Sequence, residues 1–107
     1  MKKSDIVLIP FPFSDLTGNK NRPALVLVGN EKDVTVAFIS TQLHRKEETD
    51  ILMQPDTENG FKKESLIRLS KLTTIDKDLV FGRLGRLDNT TVKLVNKNLK
   101  IIMKLDE

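Results

Sequence analysis

Asn21-Arg22-Pro23-Ala24-Leu25-Val26-Leu27-Val28 is a run of apolar and β-branched residues entered by an arginine and a proline. The residues from Ala24 to Val28 suit a strand buried on both faces. Arg22 keeps a guanidinium at the mouth of that strand, where a fixed cation can meet an anion. The neighbouring segments are read outward from this run.

Upstream, Asp5 to Ile9 is a short β-rich run ended by Pro10-Phe11-Pro12, whose prolines lack amide donors and cannot sit in a central ladder. It reads as the first strand. Phe11 to Asn21 then holds Ser14, Asp15, Thr17, Gly18, Asn19 and Asn21, a set of turn formers in a loop long for a hairpin. Downstream, Gly29 to Asp33 is a polar hairpin turn into a third strand, Val34 to Thr41. Alternation sets Val36, Phe38 and Ser40 on one face and Ala37, Ile39 and Thr41 on the other. In an antiparallel hairpin the start of one strand lies beside the end of the next, so Arg22 and Ser40 are expected to be neighbours.

His44 to Asp50 reads as a charged connection, Ile51 to Met53 as a short strand and Pro55 to Gly60 as a loop. Ser65 to Leu69 is a further strand, continued or bent near Lys71 into Leu72 to Ile75. Asp76 to Gly85 is ambiguous, and its two glycines argue against a long helix. Asp88 or Asn89 caps a final helix, Thr90 to about Leu105. Its apolar arc, Val92, Val95, Leu99, Ile102 and Met103 flanked by Leu94, Ile101 and Leu105, spans roughly 200°. That is wider than one sheet face demands; a second subunit or a covering loop would account for the excess. Lys93, Lys97, Lys100 and Lys104 read as a solvated face. Short strands followed by one helix predict a mainly β (α+β) fold, a small bent antiparallel sheet or barrel closed by the helix.

With 107 residues, one domain spanning 1–107 is expected, with about 65 % of the extended chain's surface buried. The 38 % apolar and 31 % charged content is that of a soluble globular protein. No signal peptide and no membrane span are read, so the cytoplasm is the expected location. Without cysteine the chain has no disulfides, thiolate metal sites or thiol nucleophiles. A net charge of +3 permits nucleic acid and an acidic protein equally.

The sequence has no glycine-rich phosphate loop, HExxH, calcium loop or GxSxG elbow. The only histidine, His44, reads as a solvated surface imidazole. What remains is a set of groups at strand ends: Arg22, then Ser40, Thr41 and Gln42, then Arg68. An arginine beside a hydroxyl fits a phosphodiester, because guanidinium offers paired donors and stays charged. The same residues also suit an arginine stacked over a barrel end and hydroxyls finishing a ladder.

Several stretches together resemble the MazF/PemK family of toxin ribonucleases: Asp5 to Asp15, Asn21 to Leu27, Ile39-Ser40-Thr41-Gln42, Lys63 to Leu69, Thr74 to Lys77 and Leu84-Gly85-Arg86-Leu87. The resemblance implies a compact SH3-like barrel and a homodimer. It implies cleavage of single-stranded RNA without metal or cofactor, and neutralisation by a cognate antitoxin, with DNA bound by the toxin–antitoxin complex. By position it makes Arg22 and Ser40 catalytic. Attack of the ribose 2′-hydroxyl on the adjacent phosphate would give a cyclic phosphate and a free 5′-hydroxyl. The nucleophile then belongs to the substrate, and DNA is not cut.

Candidate RNA contacts are Phe13, Lys20, Thr41, Gln42 and Arg68. Phe11 and Phe13 read in the first place as plugs of the barrel core. Thr41 should face away from Ser40, and Gln42 returns to Ser40's face. The chain departs from some relatives in having no histidine in the first loop, and from others in having Arg68-Leu69-Ser70 where they have Arg-x-Asp. Arg68 is therefore expected to lack that carboxylate partner, and proton transfer is unassigned unless His44 or Asp15 comes near. Two other activities fit the same fold: poisoning a protein target such as a topoisomerase, and binding RNA without cutting it.

Overall fold

The computed structural model describes residues 1–10 and 21–106. The readings placed on Phe11, Phe13, Asp15 and Lys20 fall outside the described residues. Six strands follow in chain order: β1 (Asp5–Pro10), β2 (Asn21–Gly29), β3 (Asp33–Ser40), β4 (Ile51–Met53), β5 (Ser65–Asp76) and β6 (Gly82–Arg86). Among the described residues one α-helix, α1 (Asn89–Met103), follows the strands. All pairings are antiparallel, and the strands lie in the order β4-β5-β3-β2-β1-β6.

This order forces the sheet to roll. In a flat sheet β5 and β6 would lie four strand spacings apart, about 19 Å. The link between them contains a 3₁₀ turn at Lys77–Leu79. It reaches about 16 Å at most, at roughly 3.3 Å per extended residue and 2.0 Å per turn residue. The link is pinned at both ends, Lys77 N–H donating to Lys32 O (2.8 Å) and Phe81 N–H to Leu8 O (2.9 Å). Ile75 and Val80, on either side of the turn, pack on the sheet face made by Val7, Ile9, Ala24, Val26, Val34 and Val36. The roll closes over that face and gives the bent barrel expected from the sequence.

The other face carries the second core. Ile6, Leu25, Leu27, Ala37, Ile39, Ile67 and Leu69 meet Val95 of α1, with Val92, Leu99 and Ile102 packed alongside. Strand parity was therefore legible: Ala24 and Val26 serve one core, Leu25 and Leu27 the other. Two details differ from the sequence reading. The register between β2 and β3 shifts between Val26 and Val28, and Val28 ends up 61 % exposed rather than buried. Met103, read as part of the packed stripe, is 50 % exposed at the end of the helix; Leu94, Ile101 and Leu105 are exposed as well. Asp88 is the N-cap; its carboxylate accepts from Thr91 N–H at 2.7 Å, a bond to the ionised form that holds Asp88 below its usual value.

The segment read as ambiguous resolves into the Lys77–Leu79 turn and the edge strand β6. The loop before β5 covers that edge. Buried Asn59 accepts from Phe61 N–H (2.9 Å) and donates to Gln54 O (2.9 Å), shaping the loop, and Arg86 N–H donates to Glu58 O at 2.8 Å. Gly85 is required here, because a Cβ would run into the Glu58 carbonyl.

Candidate active site at the ends of two strands

Arg22 lies near the start of β2, opposite Ile9 of β1. The β2–β3 ladder is paired from Ala24 opposite Phe38, and Arg22 and Ser40 each lie two residues beyond that pair. Their parity follows Ala24 and Phe38, so both belong to the sheet face opposite the helix. Arg22 is exposed and Ser40 half-buried. The register thus sets both residues just past the end of the paired β2–β3 ladder, with the parity of one face.

The backbone leaves the sheet at Ser40, and the serine shapes the exit. Gln42 N–H donates to Ser40 Oγ at 3.0 Å, a local turn that uses a lone pair of the hydroxyl and leaves its proton to be donated. Gln42 is exposed, and a 3₁₀ turn at Leu43–Arg45 follows. His44 is exposed in that turn, as expected. Thr41 lies on the other side of the strand ends, where it lines an open cleft of about 340 Å³ with Asn21, Pro23, Phe61, Lys62 and Leu84. It does not share the surface of Arg22 and Ser40.

Arg68 lies opposite Phe38 in the β3–β5 ladder, hence on the same face as Arg22 and Ser40. Its environment departs from the sequence reading. Carboxylate partners are present, supplied by the crossing segment between β3 and β4 and not by position 70. Glu47 pairs with Arg68 Nη2, and Asp50 Oδ2 lies 3.3 Å from Nε. Arg68 also donates to Arg45 O at 3.4 Å, and Ser70 Oγ donates to the same Glu47 carboxylate. The side chain is only 12 % exposed and Asp50's is fully buried. β4 pairs with β5 through Ile51 opposite Ile67, so Asp50 falls beside Arg68 by register. No spacing rule along the sequence announces such a pair. Arg68 meets carboxylates here and ties the crossing segment to β5.

Sequence reasoning also missed a charged group at the far end of the same face. Asp5 is buried, and its Oδ1 lies 3.4 Å from Arg86 and 3.7 Å from Arg83. Burial pushes its carboxyl up, but the Lys2 N–H (2.8 Å) and the Arg86 and Arg83 guanidiniums outweigh that and hold it below the ordinary value. Among the described residues no three His, Asp or Glu side chains group as metal ligands. The strand-end surface offers a guanidinium and a hydroxyl, two hydrogen-bond donors suited to an anion that gains charge during reaction.

The family model for PemK-like, MazF-like toxins of type II toxin–antitoxin systems matches residues 2–103. Among solved structures, the Mycobacterium tuberculosis toxin MazF-mt6 is similar at 20 % identity and a TM-score of 0.76, over 94 % of this chain and 96 % of that one. An endoribonuclease in complex with its cognate antitoxin, from a mycobacterial species, is similar at 20 % identity and a TM-score of 0.73, over 98 % and 96 %. At such identities the likeness concerns the fold. No curated protein sequence matches the chain significantly.

Proposed function

The chain belongs to the PemK-like, MazF-like toxins of type II toxin–antitoxin systems, and from that membership we propose that it is a metal-independent endoribonuclease selective among sequences of single-stranded RNA. One observation carries the reading: exposed Arg22 and half-buried Ser40 each lie two residues beyond the last β2–β3 pair, Ala24 opposite Phe38, with the parity of one sheet face. In the proposed reaction the ribose O2′ forms a bond to the adjacent phosphorus and the bond from phosphorus to O5′ breaks. The products are a 2′,3′-cyclic phosphate and a 5′-hydroxyl; the 2′ proton leaves and a proton returns to O5′. Arg22 holds the scissile phosphate and the charge that builds on it, and the Ser40 hydroxyl hydrogen-bonds a phosphate or leaving oxygen while keeping its proton.

Gln42, exposed beyond Ser40, contacts RNA in this reading. Arg68 acts through its hold on the crossing segment, and Thr41, Phe13 and Lys20 are proposed as contacts outside the reacting group. The partners proposed are a cognate antitoxin and a second copy of the chain. Exposed Leu94, Ile101 and Met103 of α1, with Leu105 just beyond it, support an apolar contact between copies. The proposed place of action is the cytoplasm; no described helix is long and apolar enough to cross a membrane.

The test is incubation of the purified protein with a long mixed-sequence RNA in chelator, with mapping of new 5′ ends. Discrete cuts bearing 5′-hydroxyls are expected, and they should vanish in Arg22→Ala. Ser40→Ala should lose less than Arg22→Ala, and Thr41→Ala less again. Intact RNA that stays bound would instead indicate a binding barrel, and intact RNA with a captured protein target a poison of that target. A larger loss for Thr41→Ala than for Ser40→Ala would overturn the parity assignment.

A further inference from the structure

Arg83 and Arg86 are three residues apart, so a regular pleat would send them to opposite faces of β6. The sheet does otherwise. Asp5 pairs with Arg86 and Ile6 with Gly85, but Val7 then pairs with Arg83 and Leu8 with Gly82. The shift inserts Leu84 as an extra residue, a bulge that re-aims the side chains after it. Both arginines therefore stand across from Asp5 and Val7, which share the face of Arg22 and Ser40, and both reach Asp5 Oδ1.

Around them lies an open cleft of about 450 Å³ lined by Lys2, Asp5, Val7, Val80, Phe81 and the two arginines. Three cations face one carboxylate there, so positive charge is left over. Arg83 is 58 % exposed and Phe81 64 % exposed, a large aromatic ring beside guanidiniums with no part in either core. A ring that offers a stacking surface, next to donors that suit phosphate, matches the alternation of base and phosphate along an unpaired nucleic-acid strand.

The position agrees. Val7 pairs with Ala24, and Ala24 is two residues from Arg22 on the same face. Arg83 is thus two strands and two residues from Arg22, at most about 12 Å by flat-sheet spacing, a span that the roll of the sheet shortens.

We propose that this cleft is a second contact for the RNA strand, with Phe81 stacking on a base and Arg83 and Arg86 holding a phosphate further along the strand from the bond that Arg22 serves. The inference rests on the proposed RNA substrate. The cleft supplies affinity and register along the strand, and chemistry stays with the strand-end surface.

The probe is a short 2′-O-methyl oligoribonucleotide, which lacks the attacking hydroxyl, titrated by fluorescence anisotropy at several salt concentrations. Phe81→Ala should weaken binding about tenfold, with Phe81→Trp restoring it. Arg83→Ala should lower the slope of log affinity against log salt by about 0.7, the value of one phosphate contact on a single strand. Both side chains are exposed, and melting curves should coincide with the parent's. Unchanged affinity and slope in Phe81→Ala and Arg83→Ala would overturn the proposal. So would loss of binding to a polyglutamate peptide with oligonucleotide binding intact, which would make the cleft a site for acidic peptide. Failure of the parent to cut RNA while it binds the probe in this pattern would remove the proposed reaction and leave the cleft standing.

Discussion

Two ionic clusters on one sheet face are inverse images of each other. At one end a single guanidinium, Arg68, lies between two carboxylates, Glu47 and Asp50; at the other a single carboxylate, Asp5, lies between two guanidiniums, Arg83 and Arg86. In the first the cation is nearly buried and its charge is more than matched. In the second the carboxylate is buried and the cations are half in solvent. The difference teaches that an arginine on the correct face is not thereby available to an anion. The ratio of charges and the exposure of the head group decide which cluster holds the fold and which can meet a phosphate.

The largest effect expected from this contrast is on stability. Arg68→Ala would strand Asp50, buried and beside β5, and should cost about 3–5 kcal/mol in chemical denaturation. Arg83→Ala removes a half-exposed partner of a carboxylate that keeps Lys2 N–H and Arg86, and should cost less than about 0.5 kcal/mol. Similar losses in the two variants would break the comparison.

A smaller effect sharpens it through pH. Asp5 titrates below its ordinary 3.8 in the folded protein, so its stabilisation is fully present above the unfolded value and is lost as pH falls through the lowered folded one. The stability advantage of the parent over Asp5→Asn should therefore hold at neutral pH and shrink between about pH 5 and 3. An advantage constant across that range would show that the arginines do not favour the charged form.

Much of this fold is written in local pattern. β-branched runs marked β1, β2 and β3, the Asp88 cap marked the helix, and alternation sorted Ala24 from Leu25. Those features depend on residues close in sequence and on a fixed pleat. What escaped depends on register between distant segments. Two bulges decided that Val28 is exposed and that Arg83 joins Arg86, and neither bulge is encoded in the spacing of the residues it moves. Gly82 and Gly85 were visible as breakers of a helix, yet the place of both on an edge strand, and of Gly85 under the Glu58 loop, needed the partner segment. The carboxylates on Arg68 came from a crossing segment read only as a charged connection. At the strand ends, a hairpin with a short turn carried Arg22 toward Ser40 without any long-range information.

The central claim is that Arg22 serves the reaction and not the fold. Cleavage of one RNA by the parent and by Arg22→Ala, in chelator, with both melting curves recorded, tests it most directly. The expected result is a rate lower by about 10²- to 10³-fold, or about 3–4 kcal/mol of barrier, with unchanged melting. Undiminished cleavage by Arg22→Ala, or a variant that no longer folds, would contradict it.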